Sequence, residues 1–404
     1  MNIKALLKSL LLRKFTTGLL ILQLAITLGL LINSVILALD TNNKLAQKTG
    51  LDTENTLIVS LQPTSGDYRD LDYFRSIVSQ DLHAIKQLPE VESVSLVNQL
   101  PINKRGMLGN VYDLDDPESI DRDKYLQDVK IFLTNEELAN TLALALVEGR
   151  FLTKDDQRDF GSEGNGNIVI TESLKKALYG DKSALGQETN NGRIVGVVQD
   201  IMLDPSIQED KQYGVFGNNI MEWVFTGRNY LLKVTPGQTE KIRNQISDTI
   251  LGVQAERDIY RIRTMAEHLQ RFYRHDKGLA QLFLMLCGLM IFVTAISSYA
   301  YSQFHISRQK KYIGIRRALG ARKKDILLYV LTENWLVYAI GCALGLAMAL
   351  GFNVLLSQYI SLSKPDIMMF ILASAVIFIA GTIATLIPAI KTSNIPPVIA
   401  TRTV

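Results

Sequence analysis

Four stretches of this chain carry apolar residues on every face a helix could present, and a long segment between the first and second alternates apolar and polar positions as a water-exposed domain does. A helix rising 1.5 Å per residue needs about 20 apolar residues to cross about 30 Å of hydrocarbon. The runs Phe15–Leu39, Gly278–Tyr301, Trp335–Ile360 and Ile367–Ile390 meet that length with no charged face. They predict transmembrane helices over 15–39, 278–301, 335–360 and 367–390. The first run is too long for the apolar part of a cleaved signal, about 7–15 residues, and Ile36 and Ala38 make a poor cleavage site before Asp40. It is expected to remain as an anchor.

The segment 40–277 reads as α/β. Thr56–Leu61 is strand-like, Tyr73–Gln87 has helical spacing through Phe74, Ile77, Val78, Leu82 and Ile85, and Val91–Val97 is strand-like again. The same order recurs at Tyr230–Val234, Glu240–Leu251 and Asp258–Ile262. Two strand–helix–strand halves so far apart predict a split ferredoxin-like module, with a second subdomain inserted at about 102–219. Within the insertion, Gly161–Asn167 is turn-rich and Arg193–Val198 is a further strand. The segment Ile262–Arg274 is expected to be an amphipathic helix and, if continuous with the second span, a rigid stalk.

Composition sharpens this picture only through its uneven distribution. The chain has 404 residues, 47% hydrophobic and 21% charged, with a net charge of +3, too little to imply a nucleic-acid partner. Cys287 and Cys342 both fall in apolar runs and read as packing residues, not as a disulfide or metal pair. Basic residues fix the orientation. Lys4, Lys8, Arg13 and Lys14 precede the first span. Eight more, Arg308, Lys310, Lys311, Arg316, Arg317, Arg322, Lys323 and Lys324, stand after the second with no acid before Asp325. An amphipathic N-terminus (1–14), a loop (302–334) and a tail (391–404) are therefore expected in the cytoplasm. Segment 40–277 and the short loop 361–366 are expected outside. Arg271, Arg274 and Lys277 run against this locally, but a long domain is translocated largely regardless of its charge.

Candidate chemistry is sparse. The four histidines His83, His268, His275 and His305 are scattered, no GxxxxGK[ST] occurs, and HExxH and GxSxG are absent. The acid pairs Asp115–Asp116 and Asp155–Asp156 read as solvated loop residues. No catalytic or metal-binding residue is expected, and no cofactor in this chain. Glu333, near the start of the third span, is costly at that depth unless hydrated or paired. It reads either as a brace for the basic loop or as a side chain reaching the interface. Gly341, Gly345 and Gly351 form a small-residue stripe suited to close helix packing. Gly314 and Gly320 punctuate the loop as a folded elbow would.

The stretch Arg308–Asp325 (RQKKYIGIRRALGARKKD), followed by Glu333, resembles the loop after the second helix of FtsX-like and MacB-like ABC permeases, of the type VII ABC family. Pro388-Ala389 through Pro396 and Arg402 is similar to that family's C-terminus. Val147–Phe151 (VEGRF), Ile168–Gly180 (IVITESLKKALYG) and Arg193–Asp200 (RIVGVVQD) are similar to the MacB-type periplasmic domain. The family usually has an acid before the Ile-Gly of the loop, where Tyr312 stands here.

The resemblance implies a non-catalytic, permease-only subunit in a bacterial inner membrane. It would pair with a second copy or a paralogue and dock on an ABC ATPase that binds ATP and Mg. The coupling contacts would come from Arg308, Lys310, Lys311, Tyr312, Gly314, Arg316, Arg317, Gly320, Arg322, Lys323, Lys324 and Glu333. It further implies a periplasmic adaptor, an outer-membrane channel, and expulsion of peptides, antibiotics or other amphipathic compounds. Lipoprotein extraction in the manner of LolC and LolE, or FtsX-like control of a cell-wall hydrolase, are the alternatives. The basic loop would also suit anionic lipid headgroups.

Overall fold

The computed structural model describes residues 14–115, 125–159, 166–220, 228–358 and 366–394. Lys4, Lys8, Arg13, most of the turn-rich stretch at 161–167, the loop 361–365 and the tail beyond 394 lie outside the described residues. Taking strands of three or more residues and helices of two turns or more, the chain order begins with α1 (Lys14–Ala46), β1 (Thr56–Pro63), α2 (Leu71–Lys86) and β2 (Val91–Val97). Next come β3 (Leu108–Val111), β4 (Leu126–Leu133), β5 (Leu146–Gly149), β6 (Asn167–Thr171), α3 (Glu172–Tyr179), β7 (Gly192–Val198) and β8 (Gly214–Gly217). Then follow β9 (Arg228–Val234), α4 (Thr239–Val253), β10 (Arg257–Thr264), α5 (Met265–Phe272), α6 (Arg274–Ala318), α7 (Lys323–Leu356) and α8 (Ile367–Ser393). The chain divides into two compact units, Leu45–Tyr273 and the remainder.

In the unit Leu45–Tyr273, β10-β1-β9-β2 make a four-stranded sheet, antiparallel at every pairing. With α2 between β1 and β2 and α4 between β9 and β10, this is the expected split ferredoxin-like module. Val59 lies opposite Tyr230 on one side and Ile262 on the other. One face of the sheet packs Leu57, Val59, Leu61, Tyr230 and Leu232 against Phe74, Ile77, Val78 and Ile85 of α2 and Ile242, Ile246 and Ile250 of α4. The other face sends Ile58, Val97 and Leu231 into a core shared with Phe132, Val169, Val198 and Phe216 of the insertion. Burial on both faces is why β1 reads as a continuous apolar run without alternation.

The insertion builds a mixed seven-stranded sheet, β3-β4-β8-β6-β7-β5, with the two-residue strand Glu188–Thr189 added beside β7. The motifs IVITESLKKALYG and RIVGVVQD are two parts of one unit. β6 and β7 run parallel, and Asp200, at the end of β7, accepts from Ser173 N at 2.8 Å and from Ser173 Oγ at 2.5 Å, capping the start of α3. Burial pushes the Asp200 carboxyl above its ordinary range, outweighing those two donors. Between the module's helices and sheet, Arg257 pairs bidentately with Asp81, both side chains fully buried, and Tyr230 OH donates to the same carboxylate at 2.7 Å.

The stalk expectation needs correction. Ile262–Thr264 is still strand, and α5 starts only at Met265 because Thr264 and Glu267 form a reciprocal capping box, Glu267 N to Thr264 Oγ1 at 3.1 Å and Thr264 N to Glu267 Oε2 at 2.9 Å. The helix then stops at Tyr273, a buried ring whose hydroxyl donates to Pro205 O at 3.3 Å. No single helix runs from 262 into the second span.

In the other unit, α1, α6, α7 and α8 are the helices long and apolar enough to cross a membrane. α1, α6 and the start of α7 extend past their apolar runs by one or more turns, α8 by three residues, and α7 ends at Leu356, short of the expected 360. The first span is the most buried one, with 61% of its most apolar window buried against 17–28% in the others. Its polar side chains turn inward. Asn33 Nδ2 donates to Ala349 O at 3.0 Å, Thr27 Oγ1 lies 3.2 Å from Thr294 Oγ1, and Cys287 Sγ lies 3.2 Å from Ser34 Oγ. Both cysteines are free and buried.

Candidate functional site

The basic segment is a helical hairpin, not a loop. α6 continues unbroken through Arg308, Lys310, Lys311, Tyr312, Gly314, Arg316 and Arg317 to Ala318, and α7 begins at Lys323. Gly314 is therefore a helix-interior residue and no elbow. The physical reason is local: Ile313, Ile315 and Ala318 continue the helical pattern, and a single glycine lowers helix stability by only about 1 kcal/mol. Gly320 does punctuate the chain. Its φ of +99° suits glycine alone, and Gly320 N to Arg317 O at 3.1 Å with Ala321 N to Arg316 O at 3.0 Å closes α6 in a Schellman motif. Arg322 N then donates to Asp325 Oδ2 at 2.9 Å, starting α7.

The basic side chains of the hairpin are held in different ways. Arg308 lies over the Phe304 ring at 4.6 Å. Arg316 sits between Tyr312, at 4.9 Å on its own helix, and Tyr329, at 4.8 Å on α7. Tyr312 thus faces its arginine one turn away, the position from which an acid would form an i,i+4 ion pair, and substitutes a cation–π contact for it. Arg317 Nη1 donates to Ser393 O at 2.5 Å and Lys323 Nζ to Asn394 Oδ1 at 2.9 Å, tying both arms to the end of α8. Lys324 and Arg322 are exposed.

Glu333 is turned into the protein and pairs across the hairpin. It is buried, 1% exposed, and its Oε2 lies 2.6 Å from His305 Nε2 on α6. In the sequence His305 is one of four scattered histidines, marked only by a place one turn beyond the second apolar run, on the far side of the basic stretch from Glu333.

Gly341 and Gly345 are contact points within the chain. A Cβ at Gly341 would come within 2.8 Å of Leu24 Cβ, and one at Gly345 within 2.8 Å of Leu28 Cβ and 3.1 Å of Ala25 O. Gly351 meets nothing within 4 Å and is no part of that contact. Two other glycines make such contacts without belonging to the stripe. Gly29 faces Phe352 at 3.2 Å, and Gly381 faces Tyr338 Cζ at 2.6 Å while its carbonyl accepts from Tyr338 OH at 3.0 Å.

Among the described residues, no three His, Cys, Asp or Glu side chains come together as a metal site requires. The arrangement offers a positively charged helical lever with a buried polar link at its root.

The chain matches the family model of the MacB-like periplasmic core domain over residues 19–254 and that of the FtsX-like permease C-terminal region over residues 284–397. It is 22% identical over 389 residues to the macrolide export ATP-binding/permease protein MacB of Wolinella succinogenes, covering 93% of this chain and 57% of that one. With the protein of the same name from Bdellovibrio bacteriovorus it shares 26% identity over 251 residues, 58% of this chain and 38% of that one. The chain spans about half the length of the curated relatives it matches. The crystal structure of the periplasmic region of MacB from Actinobacillus actinomycetemcomitans superposes at a TM-score of 0.36 and 18% identity, over 55% of this chain and 94% of that one.

Proposed function

Because this chain belongs to the MacB-like permease family, we propose that it is the membrane-spanning subunit of an ABC-type efflux system, driven by an ATPase carried on a separate chain. The observation that carries this is the basic hairpin. Helix α6 is 45 residues long, roughly 67 Å at 1.5 Å per residue, and runs from Arg274 through the second span to Ala318 beside the hairpin tip without a break. A pull at Arg308–Lys324 is transmitted along one rigid rod. In this reading the hairpin, the N-terminus and the tail face the cytoplasm of a bacterial inner membrane, and Leu45–Tyr273 faces the periplasm.

ATP and Mg belong to the partner. A second permease copy or a paralogue completes the transmembrane part, and a periplasmic adaptor with an outer-membrane channel receives the cargo. Peptides, antibiotics or other amphipathic compounds are the substrate class, the antibiotics by analogy with the macrolide export for which the relatives are named. Affinity purification of the tagged chain in mild detergent, with mass spectrometry of what accompanies it, tests the proposal. An ATPase together with an adaptor supports it. An ATPase accompanied by a cell-wall hydrolase or a lipoprotein chaperone replaces efflux with mechanical signalling or lipoprotein release, and recovery without an ATPase overturns it.

A further inference from the structure

The second and third spans share a buried pair of ionisable side chains for which helix packing alone has no need. His305 stands on α6 three residues before Arg308, and Glu333 stands on α7 with its Oε2 2.6 Å from His305 Nε2. The two side chains are 5% and 2% exposed. A contact that short has one proton lying between nitrogen and oxygen. A carboxylate and an imidazole at that burial in membrane helices are expensive apart and compatible only as partners. Ile306, Val330, Leu331 and Ala389 form a small buried apolar cluster from the neighbouring positions of α6, α7 and α8.

Position gives the pair its meaning. Counting away from the Gly320 turn, Arg316 of α6 stacks on Tyr329 of α7 as an outer rung, and His305–Glu333 is the inner one. Beyond it the two arms merge into the bundle. At that same level Tyr301 OH lies 3.1 Å from Thr17 Oγ1 of α1, and Trp335 Nε1 donates to Thr382 Oγ1 of α8 at 3.1 Å. The Tyr301 ring stacks on His305, with centroids 6.2 Å apart. Polar ties therefore cross all four helices at the root of the hairpin. A directional, charge-assisted bond fixes the sliding register of two helices, which apolar contacts along a membrane helix do not.

We propose that His305 and Glu333 are a positioning pair that pins the root of the hairpin, so that its two arms move as one body with the four spans. The use of that lever for coupling rests on the proposed function; the pin itself does not.

The test is backbone hydrogen exchange of the full-length chain in lipid nanodiscs, followed over residues 306–332. Glu333→Gln and His305→Gln are expected to raise exchange there about tenfold. The exchanged pair, His305→Glu with Glu333→His, is expected to return it to within about twofold of the unsubstituted chain. The apolar double variant, His305→Leu with Glu333→Leu, fills the space without the bond and is expected to exchange as fast as the single variants. The proposal is overturned if the single variants exchange at the unsubstituted rate, if the exchanged pair fails to recover, or if the apolar pair protects the hairpin equally well. Should either single variant fail to fold, the two double variants decide. Hydrolysis by the co-purified ATPase is a separate readout: unchanged hydrolysis in loosened variants leaves the pin standing and removes the coupling reading.

Discussion

Gly341 and Gly345 show how little room a single position in the bundle leaves. Each faces the side-chain root of a leucine on α1 at 2.8 Å from where a Cβ would sit, and a side-chain root cannot swing away as a chain end can. Gly345→Ala is expected to lower the unfolding stability of the purified protein in detergent by about 1–3 kcal/mol. Gly351→Ala, in open space, should leave it unchanged or slightly raised; equal effects at the two positions would refute the packing assignment. In the outer domain, Asp156 accepts from Arg150 at 2.6 and 2.9 Å, from Asn167 at 2.6 Å and from Thr153 N at 2.7 Å. Arg150 chiefly, with Asn167 and Thr153 adding to it against the cost of burial, holds this carboxyl well below the ordinary carboxylate range. An unfolded aspartate titrates near pH 3.9, so its stabilisation is fully present above about pH 5 and is lost as pH falls through the native value. Asp156→Asn should cost about 1.5–3 kcal/mol at pH 7. The gap to the unsubstituted domain should narrow in urea unfolding near pH 3.

At the scale of elements, the hairpin's rigidity follows from continuous helical hydrogen bonding through Gly314, with the stop deferred to Gly320. A proline at 314 removes the amide that bonds to the carbonyl of residue 310 and costs about 3 kcal/mol in a helix interior. Gly314→Pro is expected to insert in the membrane normally yet abolish stimulated ATP hydrolysis by the partner, measured on the co-purified complex. Undiminished stimulation would show that the lever is not the route of coupling. The elements also show where sequence patterning has its reach. The expected strands at 56–61, 91–97 and 230–234 and the helices at 73–87 and 240–251 are present within a few residues, because two-fold and 3.6-fold periodicities are properties of each segment alone. Eight cations and two glycines give the basic stretch the composition of a loop, yet lysine, arginine and leucine are also good helix formers, and the segment is helical.

At the scale of the whole molecule, the outer domain's two subdomains share one core. Ile58, Leu231 and Met265 of the ferredoxin-like module are buried in the same cluster as Phe132, Val198 and Phe216 of the insertion. The excised unit Leu45–Tyr273 is therefore expected to unfold in one cooperative calorimetric transition. Two separated transitions would mean that the shared core does not couple the subdomains.

Sequence alone determined the spans, because crossing hydrocarbon demands a length and an apolarity that no other context imposes. It likewise determined the split ferredoxin-like module, since two strand–helix–strand patterns separated by an insertion leave few sheet orders open. Gly314 and Gly320 look alike in the sequence, and only the structure places the first inside α6 and the second at its end. What only the tertiary structure decided are the contacts between residues distant along the chain. Nothing local distinguishes Gly341 and Gly345, which touch α1, from Gly351, which does not, because the difference lies in which face of α7 another helix covers. Nothing local joins His305 to Glu333 either. Each has an ordinary place on its own helix, and the bond between them exists only because the Gly320 turn folds α7 back along α6 and sets the two side chains at the same depth.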